Sequence, residues 1–316
     1  MAIITISRGS YSHGKEIAER VAQTLGYECI AREILIEAAD QFHIPEPKLI
    51  RALQDAPTMR HSFTYGREKF VSFIEEAFLA HVQKDNVVYH GLAGHFFLKD
   101  IKHAFKVRII ADIEDRVRLE IDRKQEAAGP TPPDQPLERE DLGGFSRFMK
   151  KLENAMAAAG VAAEGDADSA KKIDPARPDD PRELLKREDE KRRQWSLALY
   201  GIDTADPSLY DLVVHVRKLT ALDAADIICH AVSRPQFATT PESQLALDDL
   251  LLAARAKAVI VNTWPGVKVT AQHGAIVVHT QATVVQEAEV RRRITEVGRS
   301  VKGVSDVRVH VDLITS

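Results

Sequence analysis

A short apolar strand that runs through a glycine-bracketed turn straight into an amphipathic helix leaves few folds open. Ile3 to Ser7 read as a buried strand. Gly9-Ser10-Tyr11-Ser12-His13-Gly14-Lys15-Glu16 follow, and Ile17, Ala18, Val21, Ala22 and Leu25 then recur at helical spacing up to Gly26. This is Gly-x-x-x-x-Gly-Lys in a strand, turn, helix setting. The glycines permit a tight turn, successive N–H groups and the helix N-terminus face phosphate oxygens, and the lysine adds mobile positive charge. Gly9 to Glu16 is therefore the candidate ATP-binding loop and Lys15 a candidate catalytic cation. Glu16 stands where the usual motif has a Ser or Thr hydroxyl for Mg²⁺. It either approaches magnesium through water or is a surface residue of the first helical turn, where negative charge is favourable.

The rest of the chain alternates in the same way. Helices are expected near 32–41, 47–55 and 67–83, then strands at Asn86 to Tyr89 and Phe105 to Ala111 with a charged helix from Ile113. Later come a helix from Glu183 to Leu199, a strand Asp211 to Val216 and a helix Ala221 to Val232. Such alternation implies an α/β fold, a phosphate-loop parallel sheet covered by helices on both faces. Half of the 14 prolines fall within 125–183, which marks an insertion carrying one helically spaced apolar set, Phe145, Phe148, Met149, Leu152 and Met156. A linker at 234–240 separates residues 1–233 from a small C-terminal α+β unit, 241–316.

Composition narrows the setting. Forty-three Lys and Arg against 47 Asp and Glu give a formal charge of -4, so no global basic field exists for nucleic acid. The two cysteines, Cys29 and Cys229, form no C-x-x-C, which excludes a disulfide framework and fits a reducing, cytoplasmic setting. No stretch approaches the ~20 apolar residues of a membrane span, and the opening apolar run is too short for a signal peptide, so neither membrane nor secretion is expected.

Ile4-Thr5-Ile6-Ser7-Arg8, the loop Gly14-Lys15-Glu16-Ile17-Ala18, Arg32-Glu33-Ile34 and the late Leu209-Tyr210-Asp211-Leu212-Val213-Val214 resemble the cytidylate-kinase-like family of phosphate-loop nucleoside monophosphate kinases over residues 1–233, insertion excepted. The resemblance implies ATP and Mg²⁺, transfer to a nucleoside monophosphate such as CMP or dCMP, and an insertion that extends the family's lid. Phosphoryl transfer needs several cations around spreading negative charge. By resemblance these are Arg116, which follows a strand as the first lid arginine does, and Arg187 and Arg192 after the insertion. Asp189-x-x-Arg192 matches the lid's D-x-x-R, so Asp189 would orient the phosphate or the acceptor; otherwise the segment is a solvated charged helix. Leu119 stands in place of a second arginine, leaving Arg118 or Arg123 to substitute. On the acceptor side the candidates are Arg32, suited to clamp a monophosphate, and His90, before a Gly91-Leu92-Ala93-Gly94 turn in which Leu92 replaces the family's arginine.

Residues 241–316 read as helix, strand, strand, helix, strand. Leu245, Leu247, Leu250, Leu251 and Ala254 form an apolar face, Gln272-His273-Gly274 a hairpin turn, and Gly303-Val304-Ser305-Asp306-Val307 the approach to the last strand. This unit resembles a BON domain, which implies a regulatory or self-association role and makes a homo-oligomer or a small-ligand contact the expected partner. The alternative for the whole chain is a nucleotide-binding sensor that signals through this unit without turnover.

Overall fold

The computed structural model describes residues 2–9, 12–31, 33–45, 48–49, 65–91, 94–126 and 180–314. Among them β1 (Ile3–Arg8), β2 (Glu28–Ile30), β3 (Val87–Tyr89), β4 (Ala104–Ala111) and β5 (Leu212–Val216) form one sheet in the order β2-β3-β1-β4-β5. Every neighbouring pair is parallel. Parallel pairing demands crossovers, and helices flank the strands in turn: α1 (Gly14–Leu25), α2 (Glu33–Phe42), α3 (Tyr65–Val82), α4 (Gly94–Phe97), α5 (Ile113–Glu126), α6 (Pro181–Tyr200) and α7 (Ala221–Val232).

Alternation along each strand divides the core between the two sheet faces. Ile3 of β1 joins Ile30, Val87, Tyr89 and Ala104 in a core roofed by Ile34 of α2 and Phe78 of α3. Ile4 and Ile6 turn the other way, to Phe105, Val107 and Ile109, under Ile17 and Val21 of α1 and Ile228 of α7. Local signals set the helix limits. Gly26, at φ 68°, ends α1 with its N–H on the Ala22 carbonyl. Thr220 and Asp223 form a reciprocal capping box at the start of α7. The expected Phe145–Met156 helix lies outside the described residues, as do most of 47–55 and most of the 125–183 insertion.

The C-terminal order is as expected: α8 (Pro241–Ile260), β6 (Lys268–Gln272), β7 (Ala275–Ala282), α9 (Glu287–Ser300) and β8 (Asp306–Leu313). β6 and β7 pair antiparallel around His273 and Gly274, whose φ values of 50° and 82° are the left-handed pair a two-residue hairpin loop requires. β8 returns parallel to β7 after α9.

α8 differs from its expected single apolar face. Leu247, Leu251 and Ala254 complete the core that holds Ile3 and Phe78. Leu252, Ala256 and Ile260, about 100° round the helix from that stripe, belong to the core of the three-stranded sheet with Ile276, Val278 and Ile294. Leu245 is corrected: it is 41% exposed. Polar contacts add to this junction. Gln83 donates to Asp248 at 2.7 Å, the Gly266 N–H to Glu68 at 2.8 Å, and Arg255 lies 3.4 Å from Glu76. Residues 234–240 are packed too, with the Phe237 ring 4.6 Å from that of Phe105 and the Thr239 hydroxyl bonded to Asp85.

Candidate phosphate-binding site

β3 and β4 flank β1 on opposite sides, so the loop after β1 opens at the carboxyl edge where an α/β sheet takes its ligands. The buried Ser12 donates its hydroxyl to the Gly9 carbonyl at 2.9 Å, closing the turn across Ser10 and Tyr11, which lie outside the described residues. His13 holds φ 58°, and the Ile17 N–H donates to its carbonyl at 3.0 Å to begin α1. The N–H groups of Gly14, Lys15 and Glu16 then belong to the first turn, whose amides have no acceptor within the helix and where the helix dipole favours an anion. Close approach explains both glycines. A Cβ on Gly14 would meet the Arg8 Cδ at 2.1 Å, and one on Gly9 would stand 3.2 Å from the Arg116 Cζ.

Two segments far apart in the chain converge on this loop. Arg116, on the first turn of α5, is 8% exposed and places Nη1 and Nη2 on the Asp189 carboxylate at 2.7 and 3.0 Å. One helical turn further along α6, Arg192 points Nη1 at the Arg8 carbonyl, 3.4 Å away. Asp189 and Arg192 therefore share the helix face that looks onto the loop. Arg187 is exposed, two residues and about 200° round the helix from Asp189, and is not brought to this group. Arg118 is exposed beside Asp115, 3.9 Å away. The side chains of Arg123 and Trp195 lie outside the described residues.

Lys15 rises from the loop, its Nζ 3.6 Å from Glu19. Glu16 takes the surface alternative. Its carboxylate lies 3.2 Å from His13 Nδ1 and 3.1 Å from Arg20 Nη2, along the outside of the first turns. Among the described residues no group of three or more His, Cys, Asp or Glu could hold a metal ion. Magnesium, which keeps several waters, fits here as an ion held by the phosphates it accompanies.

On the acceptor side Arg32 lies outside the described residues. His90 follows β3, and burial, reinforced by the positive Arg8, pushes its imidazole down to about 4. It is neutral near pH 7, so it offers a hydrogen bond and does not replace the charge absent at Leu92, which is itself outside the described residues. The flanking glycines have a packing reason: a Cβ on Gly91 would fall 2.1 Å from the Tyr89 hydroxyl, and one on Gly94 2.4 Å from Tyr89 Cδ1.

Sequence reasoning missed a second polar group beside the loop. Arg108 of β4 pairs in register with Ser7 of β1 and donates Nη1 to the Tyr210 hydroxyl at 3.0 Å. That hydroxyl donates to the Thr204 carbonyl at 3.0 Å and lies 3.3 Å from His95 Nε2. Burial, then Arg108 and Lys106, push His95 down to about 3. The available signal was a pair of alternating charges, Lys106 and Arg108, in a strand otherwise apolar.

A parallel sheet in this order, with a Gly-x-x-x-x-Gly-Lys loop after its central strand, defines a phosphate-loop α/β protein. Residues 3–131 match the model of the cytidylate kinase-like family. No curated protein matches the chain. Among solved structures, an uncharacterized protein from Eubacterium ventriosum ATCC 27560 is 13% identical at a TM-score of 0.44, over 73% of this chain and 97% of that one. A shikimate kinase from Bacteroides thetaiotaomicron is 10% identical at 0.37, over 74% and 99%. A shikimate kinase from Acinetobacter baumannii in complex with shikimate is 12% identical at 0.36, over 73% and 93%.

Proposed function

We propose that the protein transfers a phosphoryl group from ATP to a nucleoside monophosphate, CMP or dCMP. The observation that carries this is the convergence of Arg116, Asp189 and Arg192 on the loop that presents Lys15; the family match over residues 3–131 supports it. The first-turn amides and Lys15 hold the triphosphate. Arg116 and Arg192 neutralise charge that spreads over the transferring group, which is most of what this chemistry asks of a protein. Arg116 exchanges its carboxylate partner for a phosphate oxygen as the site fills, and Asp189 is released to orient the acceptor. Magnesium, arriving with ATP, supplies further charge neutralisation.

We place this activity in the cytoplasm, because the sequence carries only two cysteines, far apart and outside any C-x-x-C. Among the described residues no helix is long and apolar enough to cross a membrane. Residues 241–316 are read as a BON-like module that regulates the enzyme or joins two copies of it. Sedimentation of the full chain tests the second role, and a monomer at all concentrations removes it.

A coupled assay of ADP formation against a panel of monophosphates tests the main reading. Turnover is expected with a cytidine acceptor, falling at least about 100-fold in Lys15→Ala. One observation favours a second reading, nucleotide sensing without turnover: Arg116 is already engaged by Asp189. ATP binding with no ADP from any acceptor would leave only that.

A further inference from the structure

We propose that Arg108 binds the acceptor's phosphate, supplying from β4 the positive charge that the turn after β3 lacks in sequence, where Leu92 stands. The inference rests on the phosphoryl-transfer reading and names the residue that selects a phosphomonoester as acceptor.

Position comes first. Arg108 is level with Ser7, two residues before Gly9 and the mouth of the phosphate loop. Phe105, Val107 and Ile109 face α1 and α7, so alternation turns Arg108 to the other side with Ala104, the side of Tyr89, α2 and α3. A phosphate bound there lies across the sheet edge from the α1 amides that hold the triphosphate.

Charge comes second. A guanidinium over the inner face of a sheet is costly unless an anion or several hydrogen bonds compensate it. The groups it touches are neutral: the Tyr210 hydroxyl at 3.0 Å and the same ring, whose centroid lies 5.4 Å from Cζ. Among the described residues no carboxylate stands within ion-pair distance of it. The nearby Asp203 is taken by Arg193, with Nε 3.0 Å from each carboxylate oxygen. Arg108 thus keeps most of its five donors for a ligand, and its fork suits two phosphate oxygens at once.

Support comes third. Tyr210 accepts from Arg108 while its own proton goes to the Thr204 carbonyl, which fixes both the hydroxyl and the guanidinium it holds. The same hydroxyl lies 3.3 Å from His95 Nε2 of α4, a histidine that burial, then Arg108, keeps neutral.

The test uses the full chain and CMP. In Arg108→Met, the acceptor KM, and the Kd for CMP titrated directly in the presence of an ATP analogue, are expected to rise about thirtyfold, the loss typical of hydrogen bonds to a charged partner. The Kd for the ATP analogue should stay within about twofold. Arg108→Lys, which retains charge without the fork, is expected to recover part of the loss. An unchanged acceptor KM and Kd in both variants, in an enzyme that turns over, overturns this inference alone. Equal weakening of ATP and CMP overturns it as well and makes Arg108 a structural residue. Wild-type protein that neither binds CMP nor forms ADP overturns the phosphoryl-transfer reading together with it.

Discussion

Replacing Asp189 by Asn leaves Arg116 buried against Gly9, facing one acceptor oxygen in place of a two-oxygen carboxylate and no negative charge. The price depends on exposure: removing one member of a fully buried ion pair costs about 3–5 kcal/mol, while exposed pairs are worth about 0.2–1 kcal/mol. Arg116 is nearly inaccessible, but the Asp189 side chain is 38% exposed, so water screens one half of the pair. An intermediate loss of about 2 kcal/mol follows, or about 4–8 °C in melting temperature for a domain of this size. Arg116→Met and the double variant complete the cycle. Their coupling energy is expected at about 1–2 kcal/mol, well above the ~0.5 kcal/mol within which independent sites add. Saturating ATP analogue should at least halve the Asp189→Asn deficit, because phosphate then replaces the carboxylate beside the guanidinium. Additive single variants, or a deficit the ligand does not change, would refute the view that Asp189 holds the place of a phosphate.

Three further outcomes are expected. Gly14→Ala forces a Cβ into the Arg8 stem; it should cost about 1–3 kcal/mol and at least tenfold in nucleotide affinity, and a titration matching wild type would remove the close approach from the account. His90 and His95 are held at about 4 and about 3, below the ordinary value near 6.5. The unfolded chain therefore takes up protons that the native one refuses, so stability is full above about pH 6.5 and falls toward pH 3, by at most about 1.4 kcal/mol per pH unit for each histidine. Urea midpoints at pH 7.5 and 4.5 measure this, and an unaltered slope in His95→Gln would contradict it. Leu251→Ala should cost about 3 kcal/mol and shift a single calorimetric transition; two resolved transitions of which only one moves would contradict a core shared through α8.

What the sequence disclosed was local. The apolar spacing of Ile17 to Leu25 and the stop at Gly26 placed α1, because both signals act within one or two turns. The unexpected features join residues far apart in the chain. Arg116 and Asp189 stand 73 positions apart, and no spacing rule reaches across an insertion. Arg108 drew no notice in its strand, because its partner Tyr210 comes from beyond α6. α8 misled for another reason: one apolar face was read, and the second stripe, Leu252, Ala256 and Ile260, went unseen with its neighbour. Arg187 was placed with Arg192 by resemblance, whereas helical rotation turns it away from Asp189.

The sharing of α8 bears on how the chain is made. β1 leaves the ribosome well before Leu247 and Leu251, the leucines that seal the flank around Ile3. Until they emerge the nascent polypeptide carries an uncovered oily wall, the kind of surface on which chaperones act and aggregation starts.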